Sequence, residues 1–201
     1  ESRFRFIAFH TNVLQPRYEP ASRYGFAAGR SERDYSTFFH AGMPGLLNIA
    51  YNKSNVCVII LDNHSVAMTG HQPTPGSGKN LLGEDTKTIR LADVARSLGI
   101  EKVEVVDPYD LKATGKVLSE MAAYDGPSVI IVERPCPLRI EKGELREVQK
   151  ECNKCGVCVT AFGCPAISLG SERVEIDTTL CQGCGVCEQV CPFNAIRSKA
   201  K

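Results

Sequence analysis

The chain has 201 residues, 43% of them hydrophobic and 23% charged, and a formal net charge of +1. That much apolar material can bury one domain of ordinary size plus a small one, and the near-neutral balance gives no basis for nucleic acid or an anionic membrane as partner. No apolar run approaches the roughly 18 residues of a bilayer span, and Arg3, Arg5 and His10 interrupt any signal-peptide core, so a soluble, cytoplasmic protein is expected.

In chain order, residues 1–35 stand apart. They carry six arginines and no lysine, whereas the chain after Asp34 carries eleven lysines and seven arginines. Such a break reads either as a divergent extension or as coding sequence in another frame. From residue 36 the pattern alternates helix and strand. "MPGLLNIAYNKS" (43–54) predicts a helix with Pro44 in its first turn. "VCVIIL" (56–61) is a continuous apolar run of strand length, as expected of a strand covered on both faces.

"LADVARSLGI" (91–100) predicts a helix closed by Gly99 at the C′ position, and "KVEVVD" (102–107) a strand. "DLKATGKVLSEMAAYDG" predicts another helix and "PSVIIVERP" a third strand. This β-α-β-α-β order predicts a parallel sheet with helices on its faces. Residues 138–150 are strongly charged without an apolar stripe, and are expected to form a solvated linker before a last domain at 151–201.

The tail holds eight of the ten cysteines, in two runs 29 residues apart. Cys152, Cys155 and Cys158 are followed by Cys164-Pro165, and Cys181, Cys184 and Cys187 by Cys191-Pro192. A C-x2-C-x2-C loop wraps three thiolates around one face of an iron–sulfur cube. Structural zinc instead uses two separated C-x2-C pairs, and disulfide frameworks belong to secreted chains too small for a core. The tail resembles the bacterial two-cluster ferredoxin domain, in which the fourth cysteine of each run ligates the other cluster. That arrangement implies one [4Fe-4S] cluster on Cys152, Cys155, Cys158 and Cys191, and another on Cys181, Cys184, Cys187 and Cys164. The first run departs from the pattern in having five residues between Cys158 and Cys164. "RVEIDTTL" (173–180) predicts a strand between the runs. Cys57 reads as a small core residue, and Cys136, in "ERPCPL" close before the cluster segment, reads as structural, with a redox role as the alternative.

Ligands of open α/β sheets bind beyond the carboxyl ends of the strands. "LDNHSVAMTGHQP" (61–73) lies there, dense in oxygen and nitrogen. The Asn63 amide oxygen and the Ser65 carbonyl could hold Mg²⁺ against a phosphate. Residues 36–78 resemble the diphosphate-binding domain of thiamine diphosphate enzymes. More narrowly, residues 36–201 resemble the large subunit of indolepyruvate ferredoxin oxidoreductases, which ends in such a cluster segment. This implies a fold class of α/β with a parallel-sheet thiamine diphosphate-binding domain at 36–137, followed by a small α+β ferredoxin-like domain.

The resemblance also assigns residues. Asn63 and Ser65 take the Mg²⁺–diphosphate role, Thr69, Gly70, His71 and Gln72 lie beside the cofactor, and His40 faces the reaction centre or caps a helix. The family reads Gly-Asp just before this stretch, where the present chain has "RDYSTFF", so Asp34 stands one position upstream of its expected place and the glycine is missing. The implied reaction is oxidative decarboxylation of an aryl pyruvate with coenzyme A to an arylacetyl-CoA, electrons passing through both clusters to an external ferredoxin. A small (beta) subunit is the implied partner. The family subunit is far longer and supplies the group that activates the cofactor upstream, so the chain reads as a C-terminal fragment, incomplete as a catalyst. Alternatives are a stand-alone ferredoxin-type electron carrier and a related oxidoreductase for another 2-oxoacid.

Overall fold

The computed structural model describes residues 5–9, 25–27, 37–67 and 69–199, the first two stretches by backbone alone. The chain divides into two units, Glu1–Pro108 with Lys112–Cys136, and Tyr109–Leu111 with Pro137–Lys201.

Among the described residues the first unit is built on five parallel strands, β1 (Arg5–Phe9), β2 (Gly25–Ala27), β3 (Val56–Asp62), β4 (Lys102–Val106) and β5 (Ser128–Glu133). Their order is β2-β1-β3-β5-β4. The segment 1–35, set apart by its composition, still contributes strands, with β1 pairing β3 from Arg5↔Val56 to Phe9↔Ile60. Among the described residues three α-helices accompany the sheet, α1 (Met43–Tyr51), α2 (Leu91–Ser97) and α3 (Leu111–Ala123). Pro44 sits in the first turn of α1. Gly99 follows the α2 cap with φ +93°, a left-handed C′ residue that a side chain would strain.

The continuous apolar run of β3 has a simple cause. Val56, Val58 and Ile60 pack on one face with Leu46 of α1 and Leu91 and Ala95 of α2. Cys57 packs on the other with Val106, Ile130 and Met121 of α3. A strand with helices on both faces has no polar side, so alternation disappears. Cys57 is fully buried and burial pushes its thiol up, which fits a small core residue.

The second unit is small and repeats itself. α4 (Val157–Thr160) and α5 (Val186–Val190) each follow a left-handed glycine, Gly156 and Gly185. β7 (Ile167–Leu169) pairs antiparallel with β8 (Val174–Ile176), the strand expected between the two cysteine runs. β6 (Arg146–Val148) pairs antiparallel with β9 (Ile196–Ser198). Here the structure corrects the reading of 138–150 as a solvated linker. It includes a three-residue strand of this unit, β6, and Gly143 N–H donates to the Gln182 carbonyl at 3.0 Å. Three residues of strand are too few to show a period, and the flanking charges mask them. No helix among the described residues is long and apolar enough to cross a membrane.

Candidate functional site

The loop after β3 folds into a compact polar turn. His64 N–H donates to Asp62 Oδ1 at 2.8 Å, and Ser65 N–H donates to Asn63 Oδ1 at 3.2 Å. The backbone then closes through a bridge between Val66 and Gln72. His71 Nδ1 lies 3.2 Å from Ser65 Oγ. Thr69 Oγ1 donates to Gln72 Oε1 at 2.6 Å, and Gln72 Nε2 returns a bond to the Thr69 carbonyl. His64 and His71 both adopt φ +61°, and Gly70 φ +113°. Left-handed backbone at two non-glycine residues in one loop is a local cost of the kind that gathers at binding sites.

Asn63, Ser65, Thr69, Gly70, His71 and Gln72 thus stand together at the carboxyl end of β3. Ser65 is buried and Asn63 half-buried, while Thr69, Gly70 and Gln72 are exposed. His40 is exposed on a π-turn (Phe38–Gly42) before α1. Asp34 falls outside the described residues. The oxygen donors of Asn63 and Ser65 suit a hard cation such as Mg²⁺.

One group here carries no assignment from sequence. Asp62 and Glu133 are cross-strand partners at the ends of β3 and β5, and His64 Nε2 lies 2.9 Å from Glu133 Oε1. The adjacency of β3 and β5 brings them together, and no local motif announces it. The Asp62 carboxyl is pushed up to about 6, chiefly by burial, against the His64 amide bond and the His64 charge, with Glu133 adding repulsion. Between about pH 4 and 6 the unfolded chain has released this proton and the folded one still holds it. Stability therefore falls as pH rises through that window and stays lower above it, by about 2–3 kcal/mol. Chemical denaturation of the cofactor-free protein at pH 4.5 and 7 should show this slope, and Asp62→Asn should remove it.

The eight tail cysteines sort into two groups. Cys152, Cys155, Cys158 and Cys191 line one pocket with Gly156, Val174, Phe193 and Ile196. Burial pushes the Cys158 thiol up, and Cys191, Cys155 and Cys152 add to the effect. The Cys187 thiol is pushed up to about 12 by burial, with Cys184, Cys164 and Cys181 adding and Arg146 opposing. Cys191 thus neighbours the first run and Cys164 the second. Backbone N–H groups already point at sulfur, Gly183 to Cys181 Sγ at 3.4 Å and Ala195 to Cys191 Sγ at 3.3 Å. Burial and the neighbouring thiols oppose ionisation of Cys158 and Cys187, and a cationic core would offset this. Two sets of four soft donors fit iron–sulfur ligation.

Comparison with known proteins agrees with this geometry. The family described as "Thiamine pyrophosphate enzyme, C-terminal TPP binding domain" matches residues 34–132. The family described as "4Fe-4S binding domain" matches residues 174–197, which take in the second cysteine run and Cys191. Indolepyruvate oxidoreductase subunit IorA of Archaeoglobus fulgidus is 42% identical over 169 residues, 81% of this chain and 27% of the relative. The same subunit of Pyrococcus horikoshii is 43% identical over 173 residues, 80% of this chain and 26% of the relative. That of Methanothermobacter marburgensis is 36% identical over 185 residues, 88% of this chain and 30% of the relative. The chain spans about a quarter of the length of the first two of these curated relatives. It carries a parallel-sheet thiamine diphosphate-binding domain followed by a ferredoxin-like 4Fe-4S domain.

Proposed function

The chain belongs to the family of the IorA subunits of indolepyruvate oxidoreductase, and from that premise we propose that it works within a thiamine diphosphate-dependent 2-oxoacid ferredoxin oxidoreductase. The substrate is an aryl pyruvate such as indolepyruvate, which loses carbon dioxide and is joined to coenzyme A as an arylacetyl-CoA. Two electrons leave one at a time through two [4Fe-4S] clusters to an external ferredoxin. A second, smaller subunit completes the enzyme, as the subunit naming of the relatives suggests.

Each part of the chain has a task in this reading. Asn63 through Oδ1 and Ser65 through its carbonyl, with Asp34, hold Mg²⁺ against the cofactor diphosphate. The turn Thr69–Gln72, locked by its own side-chain bonds, keeps the loop shaped beside the cofactor, and His40 serves near the reacting atoms. When bound, thiamine diphosphate supplies the electron sink for decarboxylation and the clusters supply one-electron carriage. Cys152, Cys155, Cys158 and Cys191 hold one cluster, and Cys181, Cys184, Cys187 and Cys164 the other.

The observation that carries the reading is the grouping of the cysteines into two sets of four, each with one member from the other run. Anaerobic purification with iron and sulfide analysis tests it, together with calorimetry of thiamine diphosphate and Mg²⁺. About eight irons per chain are expected, with Mg²⁺-dependent thiamine diphosphate binding. About four irons, or zinc in their place, would overturn the two-cluster assignment. Full iron without thiamine diphosphate binding would favour an electron carrier.

A further inference from the structure

The stretch 142–148 lies against the second cysteine loop, and one of its side chains is a charge with little access to water. Lys142 Nζ donates to the Thr179 carbonyl at 2.7 Å, and Gly143 N–H donates to the Gln182 carbonyl. Gly143 and Gly183 touch backbone to backbone, so a side chain on either would collide with the other. Lys199 N–H donates to the Leu145 carbonyl at 2.9 Å, and β6 then pairs with β9.

This anchoring delivers Arg146 to the loop. Its side chain is only 13% exposed. A methyl group on Gly185, between Cys184 and Cys187, would stand 2.8 Å from Arg146 Nη2, so the guanidinium fills the space this glycine leaves. Arg146 Nε lies 2.6 Å from Glu188 Oε1, an ion-pair contact without hydrogen-bond geometry. The guanidinium is the cation that acts on the Cys187 sulfur.

A buried positive charge beside an iron–sulfur cluster stabilises its reduced form, which carries one more negative charge. We propose that Arg146 sets the reduction potential of the cluster on Cys181, Cys184, Cys187 and Cys164, raising it, and that Glu188 partly offsets this charge. The inference rests on the two-cluster reading above. The first run has a cation of its own in Lys154, but that residue is exposed and its amine donates to the Ser171 carbonyl at 2.8 Å. Water screens it, and it has no comparable effect.

A redox titration of the anaerobically purified protein, followed by electron paramagnetic resonance, tests the proposal. Arg146→Gln should lower one of two midpoints, with the reduced-to-oxidised ratio at a fixed potential falling about tenfold, or about 59 mV for one electron. Glu188→Gln should move the same midpoint upward. Arg146→Lys should keep it near its original place, and Lys154→Gln should leave it unchanged. Opposite shifts from the two charge removals are the signature of electrostatics, since mere loosening would move both the same way. If Arg146→Gln fails to load its cluster, Glu188→Gln and Arg146→Lys still decide. Unchanged midpoints, or shifts of one sign, overturn the proposal. Finding a single cluster in the unsubstituted protein would instead overturn the reading on which it rests.

Discussion

The Cys191→Ser protein is expected to hold about half the iron of its parent, and the lost half belongs to the first cysteine run. Cys191 lines a pocket with Cys152, Cys155 and Cys158, although its sequence neighbours are Cys181, Cys184 and Cys187. Double substitutions make the test sharp. Cys155→Ser with Cys191→Ser should cost no more iron than either alone if both ligate one cluster. Cys184→Ser with Cys191→Ser should strip nearly all of it. The reverse pattern would mean that each run keeps its own fourth cysteine. Loss of iron should also loosen the unit, because its core of Cys158, Ile167, Val174, Cys187 and Ile196 is partly made of the ligands themselves. Small domains with such thin cores depend on their metal for folding.

The second large effect concerns the thiamine site. Asn63→Ala is expected to weaken Mg²⁺-dependent thiamine diphosphate binding by at least about 100-fold, more than the 10–100-fold typical of an outer-shell residue. Titration calorimetry with and without Mg²⁺ measures it. Asn63 also accepts the Ser65 amide, so a collapsed loop could mimic a lost ligand. Asn63→Asp keeps both the acceptor and an oxygen donor for Mg²⁺ and should still bind. Chemical denaturation of the cofactor-free proteins separates the two causes: lost binding in Asn63→Ala with unchanged stability points to ligation, whereas a matching loss of stability points to a collapsed loop. Equal binding in all three proteins would remove Asn63 from the metal site.

Much of this was legible in the residues. The strand over 56–62 and the helices at 43–51, 91–97 and 111–123 follow from periodicity and punctuation, with ends shifted by a few residues where terminal turns fray. Cysteine spacing is local chemistry, because three thiolates two residues apart can wrap one cluster face whatever surrounds them. The polar loop after Leu61 was likewise visible, since a strand end in a parallel sheet is a ligand position before any coordinates exist.

Other features were hidden because they depend on residues far apart in the chain. Asp62 meets Glu133 only because β3 and β5 are neighbours in the sheet, and β4 lies between them in sequence but not in space. Arg146 looked like one more charge in a solvated connector, and became a largely buried cation only when three residues of strand paired with Ile196–Ser198. The sequence alone determined which atoms could bind metal and cofactor, since ligand chemistry and short spacings are properties of consecutive residues. The tertiary structure decided which of those atoms share a site and which charge stands beside them, because burial and pairing arise only when distant segments pack.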